Sequence, residues 1–460
     1  MSDLIRIERI EINGIKNVEH GVIDFNEYSD ILKGKFDSLK SVLGIYGQNG
    51  SGKTTVLEVT KLLKNILIGE KLPDNFNQFI SNQCEEAKIS YTFFVSSDSY
   101  KQLITYTFWI KLIEENYEIY HEKIVSKEYS NTKKKWKPQI TLIECKNQEI
   151  ILKKLMNRIS RDSLIELRVA QDIEKGTSFI FNKRNQNILL KELLSTDSSE
   201  NEQKFIEVLK LLPLYAKTSL IIIENDVMGS INLNTYVPIS LYLSSQDSLK
   251  LGEIPVNLLI PNEMPKEVYQ DIEKVIKQID IVLNAIIPSF NIKITNKQQQ
   301  LLKNGEEGIS FEIVSVRNDK MIPLKYESEG IKRLISVISS MIAAFNDPSI
   351  CLMIDEFDSG IFEYLLGELI EIIDESAKGQ FVFTSHNLRA LEKLSYKSII
   401  ITTVNPMNRY IQMTGIKPNN NVRDYYYTNI ILGGQSEPIY EETKNYKIKR
   451  AFRKAGKMND

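Results

Sequence analysis

The sequence predicts an α/β fold: a mixed central sheet with N-terminal antiparallel strands and a β-then-α insertion. Three observations carry this. The apolar run Val42-Leu43-Gly44-Ile45-Tyr46 leads through the glycine loop Gly47-Gln48-Asn49-Gly50-Ser51-Gly52 into Lys53-Thr54-Thr55 and a helix with Val56, Leu57, Val59, Leu62 and Leu63. The mostly apolar runs 350–354 and 381–383 each end in polar residues, as strands covered on both faces of a parallel sheet do. Residues 4–25 alternate through Ile5, Ile7, Ile10, Ile12, Val22, Ile23 and Phe25, with Asn13-Gly14 as the turn.

The remaining elements follow in order. Residues 70–85, with Pro73-Asp74-Asn75, read as loop, and 87–95 as a strand. Runs at 104–112, 117–125 and 139–143 predict a β-meander. Between two of them lies Lys133-Lys134-Lys135-Trp136-Lys137, either a solvated hairpin tip or a grip on a phosphate backbone. Helical periodicity fills 150–215, for example Phe205, Ile206, Val208, Leu209, Leu211 and Leu212, with a polar loop at 195–203. The strand 219–223 ends in Glu224-Asn225-Asp226, where carboxylates are either plain loop residues or metal ligands. A helix is predicted over 264–287 and strands over 309–326, and neither a long heptad array nor an internal repeat is visible.

Composition narrows the class. At 460 residues the chain has room for two or three lobes, and 42% hydrophobic with 26% charged residues is the balance of a soluble globular protein. A net charge of −2 gives no global field toward nucleic acid, although a local basic surface is compatible with it. Cys84, Cys145 and Cys351 form no C-x-x-C pair, which argues against a disulfide scaffold or zinc hook and fits a reduced, cytoplasmic setting. No apolar signal core opens the chain and no 18-residue apolar span occurs, so neither secretion nor membrane spanning is expected.

The chemistry begins at residues 47–54, which match G-x-x-x-x-G-K-T in its confirming strand–loop–helix context. Backbone N–H groups of Gly47, Gln48, Asn49, Gly50, Ser51 and Gly52, and the helix start, can cradle phosphate. Lys53 would reach the outer phosphates and the Thr54 hydroxyl would sit on Mg²⁺. Asp355, at the C-terminal end of its strand, is placed to hold Mg²⁺, with Glu356 beside it to polarise an attacking water. Ser328-Glu329-Gly330 opens an apolar helix, either as a plain cap or as donors aimed at a γ-phosphate. The strand 381–383 leads through Thr384-Ser385 to His386, a candidate partner for that phosphate or for the attacking water.

Together these motifs resemble the ABC-type ATPases of the RecF/SMC branch, related to the overcoming-lysogenization-defect ATPases. Residues 47–54 match Walker A, Ser328-Glu329-Gly330 resembles the signature motif, and Asp355-Glu356 matches Walker B with its glutamate. Asp358 falls in the D-loop position and His386 matches the switch histidine, while Asn13-Gly14-Ile15-Lys16-Asn17 resembles the family's N-terminal segment. The resemblance covers roughly residues 1–125 and 310–405. Three departures stand out: the signature lacks its second glycine, the D-loop reads Phe357-Asp358-Ser359-Gly360, and the Q-loop glutamine has no assigned place, with Gln78 and Gln83 both lying between the first helix and the next strand.

The resemblance implies ATP and Mg²⁺ as cofactors and slow, dimer-dependent hydrolysis. Ser328 and Gly330 of one copy would close over Lys53 of another, with Asp358, Glu356 and His386 at the composite site. It implies a head split over 1–98 and 309–405, an insertion at 99–308 for a partner or for dimer contacts, and an extension at 406–460. Only 74 residues, 387–460, follow His386, too few for the nuclease domain of the lysogenization-defect relatives. A separate effector protein is therefore expected, as in anti-phage systems such as the phage anti-restriction-induced system, whose ATPase is a stand-alone subunit. The alternative is a RecF-like DNA-binding ATPase of repair or recombination. The basic tail 446–454 is either a nucleic-acid contact or a solvated helix. A transporter subunit fits poorly with the N-terminal strands and the large insertion.

Overall fold

The computed structural model describes residues 4–25, 28–36, 42–81, 83–194, 198–225, 229, 231, 233–244, 249–416 and 421–456. Asp226 lies outside them, so the acidic strand end is described only for Glu224 and Asn225.

Six strands form the central sheet in the order Leu220–Ile223, Cys351–Ile354, Gln380–Thr384, Val42–Tyr46, Ile399–Thr402 and Tyr410–Gln412. The first five are parallel and the last is antiparallel, so the sheet is mixed. Successive residues face opposite sides. Leu43, Ile45, Met353 and Val382 enter one apolar cluster, and Leu352, Ile354, Phe381 and Phe383 enter another. Both faces are covered, which is why these strands read as unbroken apolar runs. The glycine-loop helix Lys53–Leu67 lies on the first side, and helices Lys266–Ile286, Glu329–Asn346 and Glu363–Ser376 on the second. Parallel strands end at one edge, which brings residues 47, 224, 355 and 385 to the same rim.

Behind the glycine-loop helix lies an eight-stranded antiparallel sheet. Its main path runs Val18–Asp24, Leu4–Ile15, Glu86–Ser96, Lys101–Ile113, Asn116–Ser130, Ile140–Lys146 and Glu149–Ile150, with Lys135–Trp136 on Asn116–Ser130. Glu86–Ser96 pairs along its whole length, from Glu86 opposite Lys111 to Ser96 opposite Lys101, so residues 98 and 99 fall in one hairpin of one sheet. Helices Arg161–Ile173, Lys183–Leu194 and Glu200–Thr218 follow. The chain then returns Leu220–Ile223 to the central sheet beside Cys351–Ile354.

Several expectations change. The first turn is at Lys16-Asn17, because Ile15 pairs with Val18. Gly14 instead lies inside Leu4–Ile15 at φ 71°, where a Cβ would stand 2.5 Å from the Glu86 carbonyl oxygen. The polar stretch ending at 203 is helical from Glu200, where Ser199 and Glu202 form a capping box. The polar composition marked a helix start and not only a loop. Strands Tyr236–Ser244, Leu249–Asn257 and Phe290–Leu301 form β-structure after the helices that the sequence reading did not assign.

The basic tip is a packed hairpin end. Trp136 donates through Nε1 to the Ile31 carbonyl at 2.9 Å and sits edge-on to Tyr129 and Phe36, which uses the aromatic ring that base stacking would need.

Candidate nucleotide site

Three glycines shape the loop after Val42–Tyr46, with φ of 151° at Gly47, 72° at Gly50 and 94° at Gly52. L-side chains are strained in this region. At Gly47 a Cβ would also lie 1.7 Å from Thr402 Oγ1. Thr402 donates to the Tyr46 carbonyl at 3.2 Å and meets the Ser51 hydroxyl, while Ser51 Oγ donates to the Gln48 carbonyl at 2.7 Å. Asn17 Nδ2 donates to the Gly50 carbonyl, and Tyr410 Oη donates to that of Gly52 at 2.7 Å. The Glu441 N–H donates to Gln48 Oε1 at 3.1 Å. The loop is thus braced from the first hairpin and from the C-terminal strands.

Lys53 opens the helix and is buried. Its Nζ donates to the Gly47 and Gln48 carbonyls, each at 3.0 Å. Burial lowers its pKa below the usual lysine range, while Asp355, Glu356 and Asp358 oppose the shift. Thr54 Oγ1 donates to Asp355 Oδ1 at 3.3 Å. Thr384 Oγ1 donates to the same oxygen at 2.6 Å and accepts the Glu356 N–H at 2.8 Å. Thr384 therefore ties Asp355 and Glu356 to the neighbouring strand. Glu356 takes φ 45°, uncommon for a non-glycine residue, and its Oε2 accepts from Asn225 Nδ2 at 2.6 Å.

Asp358 Oδ2 accepts the backbone N–H groups of His386 and Asn387 at 3.2 and 3.1 Å, which fixes the segment presenting the exposed His386. Ser328 Oγ accepts the Ile331 N–H at 3.4 Å as an N-cap. Gly330 is pressed on Gly360, whose carbonyl oxygen would be 2.0 Å from a Cβ. Arg333, completely buried on the same helix, donates through Nη2 to the Asp355 carbonyl at 3.1 Å. Burial draws its guanidinium down to about 10, against the pull of Asp355, Glu356 and Asp358.

The structure thus joins Lys53, Thr54, Thr384, Asp355, Glu356 and Asn225 at one rim, with Asp358 carrying the His386 segment. Gly47, Gln48, Asn49, Gly50, Ser51, Gly52 and the buried Thr55 form the cradle beside it. Gly330 meets Gly360 of its own chain, Ser328 caps its own helix, and among the described residues no hydrogen bond links either of them to the glycine loop. Gln78 and Gln83 are both exposed, on the turn and loop before Glu86–Ser96, and enter none of these bonds. Glu224 pairs with Lys61. Among the described residues no group of three or more His, Cys, Asp or Glu is placed to hold a metal, and no helix is long and apolar enough to cross a membrane. Sequence reading missed Thr384, Asn225 and Arg333. Asn225 had a usable signal, a polar residue at the end of an apolar strand, but its partner lies 131 residues away.

A glycine cradle at a helix start, with a buried lysine and a threonine–aspartate pair, makes this rim the candidate P-loop nucleotide site. Left-handed glycines and a helix N-terminus fit a phosphate chain. The chain belongs to the AAA ATPase domain family, which matches residues 6–390, and it is an ATPase. No curated protein matches it. Among solved structures it is similar to an SMC head bound to the C-terminal winged-helix domain of ScpA, at 12% identity and TM-score 0.40, covering 88% of this chain and 97% of that one. It is also similar to the SMC head domain from Thermotoga maritima (14%, TM-score 0.36, covering 89% and 100%) and to the recombination mediator RecF in a nucleotide complex (14%, TM-score 0.35, covering 86% and 98%). At identities and scores this low the likeness says nothing of substrate or partner.

Proposed function

We propose that this chain is an ATP-driven dimeric switch of the RecF/SMC type that controls a separate effector protein in anti-phage defence, in a cytoplasmic setting. The observation that carries the hydrolytic part is the Thr54–Asp355–Thr384–Glu356 chain of hydrogen bonds, which holds an acidic pair at the P-loop rim. Thr54 and Asp355 would hold Mg²⁺, which when bound neutralises phosphate charge. Glu356 would take the proton of the attacking water, with its carboxylate aimed by Asn225. Lys53 would exchange its two carbonyl contacts for phosphate oxygens. His386 would bond the terminal phosphate or the water.

The dimeric part is supported by the signature residues. Ser328 and Gly330 engage their own helix and Gly360, with no described hydrogen bond to their own P-loop, so a second copy is the proposed recipient of their donors. Affinity purification with candidate effector proteins, in ATP and in ADP, tests the regulatory part. Absence of a complex in every nucleotide state would sink it.

The exposed helix Asn445–Ala455 favours the second reading, a RecF-like DNA-binding ATPase. It carries Lys447, Lys449, Arg450, Arg453 and Lys454, and none of its residues is buried. That reading requires ATP-dependent DNA binding that weakens steeply with salt.

A further inference from the structure

Arg333 has more hydrogen-bonding capacity than the fold uses. Its guanidinium is completely enclosed, and only Nη2 has a partner, the Asp355 carbonyl. Nε and Nη1 are buried without an acceptor. A buried arginine ordinarily uses its fork of donors, because each unmade bond leaves a desolvated charge uncompensated. Three carboxylates act on it: Asp355, Glu356 and Asp358. Asp355 Oδ1 is taken by Thr54 and Thr384, and Glu356 Oε2 by Asn225. Asp358 differs: Oδ2 accepts two backbone N–H groups, while Oδ1 is buried with no partner. Two unmatched donor nitrogens and one unmatched carboxylate oxygen therefore belong to electrostatically coupled groups.

The two groups sit on segments that already touch. Arg333 is on the helix capped by Ser328, Asp358 is in the turn after Glu356, and Gly330 meets Gly360 between them. We infer that Arg333 is a positioning residue for hydrolysis, held in reserve for Asp358. Closing the Arg333–Asp358 pair locks the start of the helix Glu329–Asn346 against the turn that carries Glu356 and supports the His386 segment. A packed contact of this kind is bistable and not continuously deformable, so the helix start would move between two arrangements. The signature end of the molecule and the hydrolytic end would then be set by one ion pair inside a single chain. This rests on Glu356 being the general base.

The test is a double-mutant cycle in the full-length chain, with ATP turnover and binding of a fluorescent ATP analogue measured separately. Arg333→Lys keeps the charge and loses the fork. It should bind the analogue as wild type does and turn over about tenfold more slowly or worse. Asp358→Asn should do the same, and the double variant should be no slower than the worse single variant. Losses that multiply, wild-type turnover in either single variant, or binding that falls in step with turnover would overturn the inference. If Arg333→Lys does not fold, Arg333→Gln, which removes the buried charge and leaves the Asp358 contacts to the His386 segment in place, decides it on the same split between binding and turnover. Glu356→Gln is run alongside: normal turnover there removes the base assignment, whereas a stalled Glu356→Gln with an unaffected Arg333→Lys removes only the reserve pair.

Discussion

At the residue scale, the proposed function divides the labour of the site between Glu356 and Lys53. Glu356 is held by Thr384 through its backbone and by Asn225 through its carboxylate, so a glutamine there changes the chemistry with little change in shape. Glu356→Gln should keep ATP binding and lose about 10²- to 10⁴-fold in turnover, the usual contribution of a general base. Steady-state phosphate release beside equilibrium ATP binding checks this, and near-normal release would mean another group is the base. Lys53→Ala removes the cation that the loop carbonyls hold in place and should abolish measurable nucleotide binding by calorimetry.

Glu122 gives a prediction about stability instead of turnover. It is fully buried in the antiparallel sheet and accepts from Tyr106 Oη, Ser178 Oγ and the Phe179 N–H, each at 2.6 Å. Burial raises its pKa despite these donors. The folded state thus holds the proton more tightly than the unfolded chain. The stability this adds is full below the ordinary glutamate value of about 4.3 and is lost as pH rises through the raised folded value. Glu122→Gln, which keeps an acceptor oxygen but cannot titrate, should flatten that part of the profile. Urea unfolding of both proteins from roughly pH 4 to 8 measures the difference. Identical slopes would show that Glu122 does not titrate in this range.

At the element scale, the contact between the helix Glu329–Asn346 and the turn after Cys351–Ile354 is made backbone to backbone. Gly330→Ala would place a methyl 2.0 Å from the Gly360 carbonyl oxygen, so the helix or the turn must move. Overpacking of this kind costs about 1 to 3 kcal/mol, and the shift should also slow hydrolysis because the same turn carries Glu356. Thermal unfolding and turnover of the variant check both parts. An unchanged melting temperature would mean that the contact is looser than it stands here. Elements of this type were legible because their patterns are local. The strand Cys351–Ile354 declares itself by unbroken apolar residues. The strand Leu220–Ile223 was legible as a strand, yet nothing in its four residues says that it lies beside Cys351–Ile354. The turn at Asn13-Gly14 was misread because glycine there answers a close approach of the Glu86 carbonyl, a constraint from a strand some seventy residues away in sequence.

At the scale of the whole molecule, a composite site predicts a change of mass. With ATP, the Glu356→Gln chain should run as a dimer in size-exclusion chromatography with light scattering, and Lys53→Ala should remain a monomer under the same conditions. A Glu356→Gln chain that stays monomeric in saturating ATP would rule out the sandwich. Both outcomes leave the P-loop assignment intact, because that rests on one chain.

The sequence by itself determined the two halves of the proposed nucleotide site: the glycine loop with Lys53 and Thr54, and the acidic pair Asp355-Glu356 at the end of a buried strand. Each is written in consecutive residues, because a phosphate cradle and a strand end are built by the local backbone. Only the tertiary structure decided what aims and restrains those groups. Thr384 on the Asp355 carboxylate, Asn225 on Glu356, Gly330 against Gly360, and Arg333 beneath the acidic turn all join segments far apart in the chain. Hydrogen bonds and close packing depend on where strands are ordered in a sheet, and that order has no signature in any short stretch of sequence.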